Sequence, residues 1–160
     1  MDPTEATLCH PIVDGEALLI RKRRGLGAGK LVGPGGKVEA GETVREAARR
    51  EVREELRVEP FGVEKRGEFD FHFRDEAVDD DSMTVHVFTA EGVEGEPEAT
   101  EEAVPEWRPT GTLPDDEMWV TDRVWLPHLI AGETFAGEFV LSDDGESLVR
   151  YEMEIGVEFE

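Results

Sequence analysis

The sequence contains little cysteine, little lysine and no long apolar run. Its 160 residues include a single cysteine, Cys9, so no disulfide can form within the chain. No apolar run approaches the roughly 18 residues of a membrane-spanning helix, and the first residues form neither a basic nor a hydrophobic signal region. We therefore expect a cytoplasmic protein that makes no contact with a membrane.

Basic residues are also scarce. Asp and Glu number 39 against 17 Lys and Arg, which gives a formal net charge of -22, and only four of the basic residues are lysines. Such a charge repels phosphate backbones, so we expect no nucleic-acid polymer as a partner. We interpret the acidic, lysine-poor composition as halophilic, since salt near 1 M shortens the Debye length to about 3 Å and screens the repulsion.

The apolar content is sufficient for a folded domain. Hydrophobic residues make up 38% of the chain and include three Trp and eight Phe, which argues against disorder. The sequence has no internal repeat and no Ser-, Gly- or Pro-rich linker that would divide it. We expect a single domain over residues 1–160, and a monomer rather than an oligomer.

Hydrophobic periodicity and turn residues predict a chain of mixed α and β structure. Asp14-Gly15 is a hairpin signal between two apolar segments, and Asp144-Gly145 is a second such signal near the end of the chain. Pro127 is expected near the first turn of a second helix, or at a kink in it. The predicted strands are residues 7–12, 17–22, 69–73, 85–87, 135–141 and 148–155, and the predicted helices are residues 43–56 and 119–130.

The remaining segments are predicted to be loops. Residues 24–42 contain seven glycines, which are costly in a helix or strand and suit a backbone that turns sharply or approaches a ligand. Residues 75–82 form an acidic loop, and residues 91–103 are polar. Strands before, between and after two helices imply a mixed central sheet between helices, an α/β/α sandwich with a closing hairpin.

Three glutamates share one face of the first predicted helix. Glu51, Glu54 and Glu55 are spaced i, i+3 and i+4, so their like charges destabilise the isolated helix. A hard cation would turn this repulsion into coordination, because Mg²⁺ prefers carboxylate oxygens together with phosphate oxygens. The alternative is a solvated Glu/Arg face, which we disfavour because the spacing of the motif residues over 36–58 is improbable for this composition.

The segment from Gly36 to residue 58 resembles the Nudix box, GX5EX7REUXEEXGU with U aliphatic. Glu42, Arg50-Glu51 and Glu54-Glu55 occupy its fixed positions, and the only departure is Arg57 in place of the last glycine. Arg57 would either adopt the left-handed conformation at a cost of about 1 to 2 kcal/mol, or let the helix end differently with its cation near the negative C-terminus. Neither outcome changes a carboxylate.

The resemblance extends over residues 7–155 to the oxidised-purine nucleoside triphosphatases, the MutT-like 8-oxo-dGTP diphosphatase branch of the Nudix hydrolases. It implies the Nudix fold and a Mg²⁺ cofactor, with Mn²⁺ as an alternative. Lys22 would contact the phosphates, Arg50 would hold a carboxylate in place, and Glu42 would fix the loop or the helix start. The implied metal contacts are Glu51, Glu54, Glu55, the Gly35 carbonyl and Glu102, with Glu101 as the neighbouring alternative to Glu102.

The resemblance also implies a pocket for the base, in which aromatic faces stack on a purine and a carboxyl group bonds its edge. Val32 stands where the relatives have an Asn, and Thr121 where they have an Asp, so we expect only modest selectivity for 8-oxoguanine. For each aromatic residue, core packing is the alternative role. The four histidines are dispersed and receive no role. The remaining implied contacts are Thr7, Phe71, Met83, Trp119, Asp122 and Trp125.

The reaction implied is attack of water on a phosphorus of a nucleoside triphosphate, the β-phosphorus by resemblance, with release of a monophosphate and pyrophosphate. Glu51 or Glu102 would accept the proton. Such an enzyme would sanitise the nucleotide pool. Two alternatives are a Nudix hydrolase for ADP-ribose or a dinucleotide, and a Nudix module that binds nucleotides without cleaving them. The second is disfavoured because a pure sensor has no need of three mutually repelling acids.

Overall fold

A computed structural model describes residues 4–24, 28–73, 83–142 and 147–159. The acidic loop predicted at 75–82 and the turn at Asp144-Gly145 lie outside these residues. None of the helices described is long and apolar enough to cross a membrane. In chain order the elements are β1 Thr4–Val13, β2 Glu16–Lys22, β3 Leu31–Val32, β4 Gly35–Lys37, α1 Val44–Leu56, β5 Glu59–Phe61, β6 Glu64–Phe73, β7 Met83–Ala90, β8 Gly92–Glu94, β9 Ala103–Pro109, α2 Asp122–Ile130, β10 Phe135–Leu141 and β11 Leu148–Ile155.

The main sheet is mixed, as predicted. Its strands follow the order β11-β10-β6-β7-β1-β2-β3, with β4 paired to β1 and β9 paired to β2. The β1/β7 and β6/β10 pairs are parallel. The β6/β7 and β10/β11 pairs are antiparallel. β1 is thus an inner strand, which pairs with β7 on one side and with β2 and β4 on the other.

The two helices cover opposite faces of this sheet. Along β1, Leu8 and Ile12 pack into the apolar cluster that contains α2, whereas Cys9 packs into the cluster that contains α1. Leu19 and Leu18 of β2 divide in the same way. Because side chains alternate along a strand, this division places the clusters on the two faces of the sheet. The predicted α/β/α sandwich is confirmed.

Helix α1 begins and ends at identifiable caps. The Thr43 hydroxyl accepts a hydrogen bond from the Glu46 N–H at 3.1 Å, and the Glu46 carboxylate accepts one from the Thr43 N–H at 2.8 Å. This reciprocal pair is a capping box. At the other end Arg57 adopts φ 59° and ψ 34°, the left-handed conformation, and its N–H donates to the Arg53 carbonyl at 2.9 Å. The helix thus ends as it would with glycine, at a cost of about 1 to 2 kcal/mol.

The first predicted hairpin is present, and the two strands predicted for the second one pair as expected. Asp14 (φ 50°) and Gly15 (φ 79°) connect β1 and β2 with two positive-φ residues, the geometry that suits the twist of paired strands. At the end of the chain, β10 and β11 have the bounds predicted from the sequence and pair antiparallel. Local turn chemistry was therefore sufficient to locate both pairs.

The glycine-rich segment is not wholly a loop, and that prediction was wrong in part. It contains β3 and β4, and β4 pairs with β1 at Gly35 and Gly36. A Cβ at Gly35 would lie 1.9 Å from the Thr7 carbonyl oxygen, so glycine here permits the close approach of two backbones. The glycine-rich backbone does approach another group closely, as expected from its composition, but that group is the backbone of β1 rather than a ligand.

Two further predictions need correction. Residues 91–103 include β8, which pairs with β5, a strand too short to show a periodic pattern in the sequence. Helix α2 begins at Asp122 rather than residue 119, and Pro127 lies within it, beyond the first turn. Pro127 has no N–H, so the helix lacks one backbone hydrogen bond at that position. Burial of Trp125 and Leu129 stabilises the helix and offsets this loss.

Candidate active site

Three carboxylates lie close together beside Gly35 and Gly36 of the glycine-rich segment. Oxygen atoms of Glu51, Glu55 and Glu102 all lie within 4.8 Å of one another. Glu51 and Glu55 project from the same face of α1, and Glu102 comes from the loop before β9. A Cβ at Gly36 would lie 2.1 Å from the Glu51 carboxylate, so only glycine leaves room for that side chain. This explains why the motif begins with Gly36.

Burial disfavours the ionised form of the two helix carboxylates when no cation is present. The pKa of Glu55 is raised to about 8, mainly by burial, and repulsion from Glu51 and Glu102 adds to the effect. The Gly35 N–H opposes it by donating to Glu55 at 2.8 Å. Burial raises the pKa of Glu51 as well. A group of oxygen ligands whose negative charge lacks compensation fits a hard divalent cation.

Arg50 holds the surrounding acids in place. Its guanidinium donates two hydrogen bonds to Glu42, at 2.6 and 3.0 Å, and one to the Lys37 carbonyl at 3.0 Å. It also lies 3.3 Å from Glu51. Glu42 in turn accepts from the Glu39 N–H at 2.9 Å, and Arg50 lowers the pKa of Glu42. The paired donors fix the loop before α1 to the helix, in the arrangement predicted for Arg50 and Glu42.

Glu54, which was also predicted to contact the metal, lies outside the carboxylate cluster, and its metal contact stays a prediction. Its side chain is 56% exposed and accepts a hydrogen bond from Arg50 at 3.1 Å. The reason is that the i+3 position lies toward the edge of the helix face, where Arg50 competes for the carboxylate. The cluster is instead completed by Glu102, from a distant part of the sequence.

The loop that carries Glu102 is attached to α1. The Thr100 hydroxyl donates to the Glu55 carbonyl at 2.9 Å and accepts from the Glu102 N–H at 3.3 Å. The Glu102 carboxylate also accepts from Arg24 at 3.3 Å. Glu101 is exposed and is not part of the cluster. Of the two adjacent acids, the structure brings Glu102 to the site.

A pocket of about 150 Å³ opens beside the carboxylates. Gly35, Gly36 and Glu55 line it, which places it in direct continuity with the carboxylate cluster. The nine residues predicted to bind substrate all line this one pocket, although they come from six separate parts of the chain. They are Thr7, Lys22, Val32, Phe71, Met83, Trp119, Thr121, Asp122 and Trp125.

Away from the carboxylate cluster, the pocket has aromatic walls and a further buried acid, Asp122. Phe71 and Trp119 meet edge to face with ring centroids 5.8 Å apart. Burial raises the pKa of Asp122 to about 7, against a backbone hydrogen bond at Trp119 and the charge of Lys30. Trp125 is almost wholly buried, with Phe69 and Phe135 at 5.6 and 5.8 Å, so core packing is a large part of its role.

Three residues at the site were missed from the sequence. Lys30 lies over the Trp119 ring at 5.2 Å, and Arg24 pairs with Glu102. His10 lines the pocket, although the sequence analysis gave it no role. Lys30 and Arg24 belong to a glycine-rich segment whose path no periodicity reveals. His10 carries one usable signal, since alternation along its strand places it on the same face as Leu8 and Ile12.

Known proteins similar to this chain show which family it belongs to. An oxidized purine nucleoside triphosphate hydrolase of Danio rerio is 40% identical over 133 residues, 83% of each chain, and that of Mus musculus is 35% identical over 147 residues, 92% of each. The crystal structure of a MutT protein from Bacillus halodurans superposes with a TM-score of 0.83 at 28% identity, covering 94% of this chain and 97% of that one. Because the NUDIX domain also matches residues 3–129, the chain belongs to the Nudix hydrolase family.

Proposed function

We propose that the chain hydrolyses purine nucleoside triphosphates, including oxidised ones, to a monophosphate and pyrophosphate. The observation that carries this proposal is the continuity of the site: Glu55 of the carboxylate cluster and Trp119 of the aromatic wall line the same pocket. A nucleotide with its phosphates at the carboxylates would place its base against the aromatic rings. The relatives from zebrafish and mouse, both oxidized purine nucleoside triphosphate hydrolases by name, support the same substrate class.

We further propose Mg²⁺ as the cofactor. Glu51, Glu55 and Glu102 would hold it together with the Gly35 carbonyl, and Glu54 would join if it left Arg50. When bound, the cation would neutralise charge on the phosphates and make an attacking water more acidic. The oxygen-only ligand set favours Mg²⁺, and Mn²⁺ would suit the same ligands.

Other residues of the chain would contact the phosphates, accept the proton and position the carboxylates. Lys22 lines the pocket beside Glu55 and would contact the phosphates. Either Glu51 or Glu102 would accept the proton from water at a carboxylate oxygen. Arg50 fixes Glu51 at 3.3 Å and so limits the positions that this carboxylate can take. Attack at the β-phosphorus would release pyrophosphate.

The base would be held mainly by stacking. Trp119 and Phe71 offer ring faces and edges, and Asp122 offers a carboxyl group that is half protonated near pH 7. Val32 supplies no side-chain hydrogen bond, and Thr121 is buried with a hydroxyl only. Stacking and apolar contact distinguish ligands by about 10- to 200-fold, so the enzyme should accept several purines and prefer 8-oxo-dGTP only modestly.

Product analysis tests the proposal. The protein is incubated with Mg²⁺ or Mn²⁺ and a panel of dGTP, 8-oxo-dGTP, dATP, dCTP, ADP-ribose and a diadenosine polyphosphate, in water enriched in ¹⁸O. We expect pyrophosphate and monophosphate from the purine triphosphates, with the label in pyrophosphate. Label in the monophosphate would refute attack at the β-phosphorus. Faster cleavage of ADP-ribose or the dinucleotide would refute the substrate class, and binding without cleavage would refute an enzymatic role.

A further inference from the structure

His10 is a buried polar residue of the pocket that the proposed function leaves unused. It lies on β1 between Leu8 and Ile12, on the face toward α2, and its side chain is 1% exposed. The pocket wall that contains it also contains Val32, Gly33 and Trp125. We propose that the His10 imidazole is a specificity-determining residue, which forms a hydrogen bond to the purine base of the bound nucleotide. This inference rests on the proposed function.

The imidazole has an unmet hydrogen-bonding requirement. Among the residues that the structure describes, no group meets hydrogen-bond geometry at His10 Nδ1; the Phe88 backbone interacts with the ring outside that geometry and raises its pKa against the larger effect of burial. Its ring packs edge to face on Trp125, with centroids 5.5 Å apart. An unpaired buried nitrogen costs free energy, and a partner supplied by a ligand would recover that loss. An apolar residue would fill this position better if the pocket bound nothing polar.

The charge state of His10 defines the class of ligand. Burial lowers its pKa to about 4, so the ring is neutral at physiological pH. A neutral imidazole has one donor and one acceptor nitrogen, which suits the mixed donor and acceptor edge of a purine and lacks the charge that would favour phosphate. Because His10 lines the wall that also contains Val32, Gly33 and Trp125, the ligand group that it would contact is the base.

His10 could also supply a hydrogen bond to the base that Val32 cannot make. Val32 lines the same pocket but has no polar side-chain group. Thr121, which is buried, offers only a hydroxyl. With Asp122, the imidazole gives the pocket a second group able to hydrogen-bond a base edge. The hydrogen-bonding capacity absent from the position of Val32 is thus present on β1, at another part of the same pocket wall.

Gly33 determines where the imidazole lies. A Cβ on Gly33 would be 2.4 Å from His10 Nε2 and 2.5 Å from Cε1, closer than any tolerated contact. Gly33 has no positive φ that would require glycine for conformational reasons. A methyl group at Gly33 would therefore displace the ring without straining the backbone, which provides a way to move His10 without removing it.

The first experiment measures base binding without catalysis. Parent, His10→Leu, His10→Asn and the control His72→Leu, a histidine outside this pocket, are titrated with dGMP, 8-oxo-dGMP and dAMP in EDTA, and tryptophan fluorescence is recorded. We expect His10→Leu to weaken binding at least tenfold while its Tm holds or rises, His10→Asn to recover most of the loss by placing an amide near Nδ1, and His72→Leu to stay within twofold. For triphosphates, KM should rise while kcat changes little.

The second experiment is a double-mutant cycle of Gly33→Ala and His10→Ala. Gly33→Ala should weaken monophosphate binding at least tenfold in the parent and have little effect in the His10→Ala background. Additive effects would overturn the proposal, and so would His10→Leu binding within twofold of the parent, since Nδ1 would then pair with trapped water only.

The outcomes separate this inference from the proposed function. A parent that binds purine monophosphates but releases no pyrophosphate refutes the proposed function, and the His10 variants still decide the inference. A parent that binds no purine monophosphate overturns the inference.

Discussion

The two ends of the pocket differ in how closely they follow the family pattern. At the carboxylate end, every charged position of the motif is retained, and Arg50 links Glu42, Glu51 and Glu54 into one network. At the base end, Val32 and Thr121 occupy positions where the family resemblance implies polar residues of another kind, and a buried histidine is present. A single pocket therefore contains one end that keeps the charged residues of the family motif and another end that departs from the family pattern.

The difference follows from the physics of each end. Cation binding and charge stabilisation need a fixed number of oxygen ligands at fixed positions, so loss of one carboxylate disables the site. Base recognition depends on stacking area and a few hydrogen bonds, which other residues of suitable shape can supply. Changes at the first end should therefore abolish turnover, and changes at the second should alter only which nucleotide is preferred.

The largest effect is expected for Glu55→Gln. The amide keeps the shape of the side chain and the contact with the Gly35 N–H, but it removes the buried charge that the cation needs. We expect kcat to fall by about a thousandfold or more, with the fold intact. Pyrophosphate release at saturating Mg²⁺ measures the first effect, and circular dichroism the second. Turnover within tenfold of the parent would remove Glu55 from the proposed metal site.

Glu102→Gln and Glu101→Gln form a matched pair in the loop before β9. Only Glu102 belongs to the carboxylate cluster, and its neighbour is exposed. We expect Glu102→Gln to lower kcat by about a hundredfold and to raise the Mg²⁺ concentration needed for half-maximal rate, while Glu101→Gln stays within twofold of the parent. Equal effects of the two substitutions would mean that the loop, rather than the Glu102 carboxylate, matters.

A smaller effect concerns the stability of the metal-free protein. The pKa of Glu55 rises to about 8 in the folded state, so folding retains its proton. The stability that this provides is complete below the unfolded pKa near 4.5 and is lost as pH rises through about 8. In EDTA, the free energy of unfolding should fall between pH 5 and 8.5 by about 4 kcal/mol more in the parent than in Glu55→Gln. Urea titrations at each pH measure this difference, and parallel curves would contradict the assigned protonation.

The smallest effect is expected at the base end. Val32→Asn would restore an amide to the pocket wall, and a new hydrogen bond to the base edge should raise the preference for 8-oxo-dGTP over dGTP by about tenfold. The ratio of kcat/KM for the two nucleotides is the measurement, with Val32→Leu as an apolar control. A parent that already discriminates by more than a thousandfold would show that other residues determine the preference.

Much of the fold was predictable because its signals are local. The helix that starts at Thr43, the Asp14-Gly15 turn and the apolar segments that form β10 and β11 each depend on a few neighbouring residues. The strands β3, β4, β5 and β8 were not predictable, because each has two or three residues and exists through pairing with a distant strand. Pairing of that kind leaves no periodic pattern in the sequence.

The site shows the same division between local and distant information. Glu51 and Glu55 were predictable from helical spacing, and the resemblance to the family supplied Glu102 and the pocket residues. The approach of Glu102 to Glu51 and Glu55 depends on how a loop meets α1, and Thr100 helps to fix that loop through its hydrogen bond to the Glu55 carbonyl. His10 was overlooked because burial of a polar group inside a pocket is visible only in three dimensions.

The most direct test of the account is a comparison of Glu55→Gln with His10→Leu on the same two quantities. These are kcat for 8-oxo-dGTP at saturating substrate and Mg²⁺, and the Kd of 8-oxo-dGMP in EDTA. We predict that Glu55→Gln loses about a thousandfold in kcat with Kd unchanged or tighter, and that His10→Leu weakens Kd at least tenfold with kcat within threefold. If each substitution lowered turnover and weakened binding in proportion, the pocket would act as one unit and the proposed separation of its two ends would be wrong.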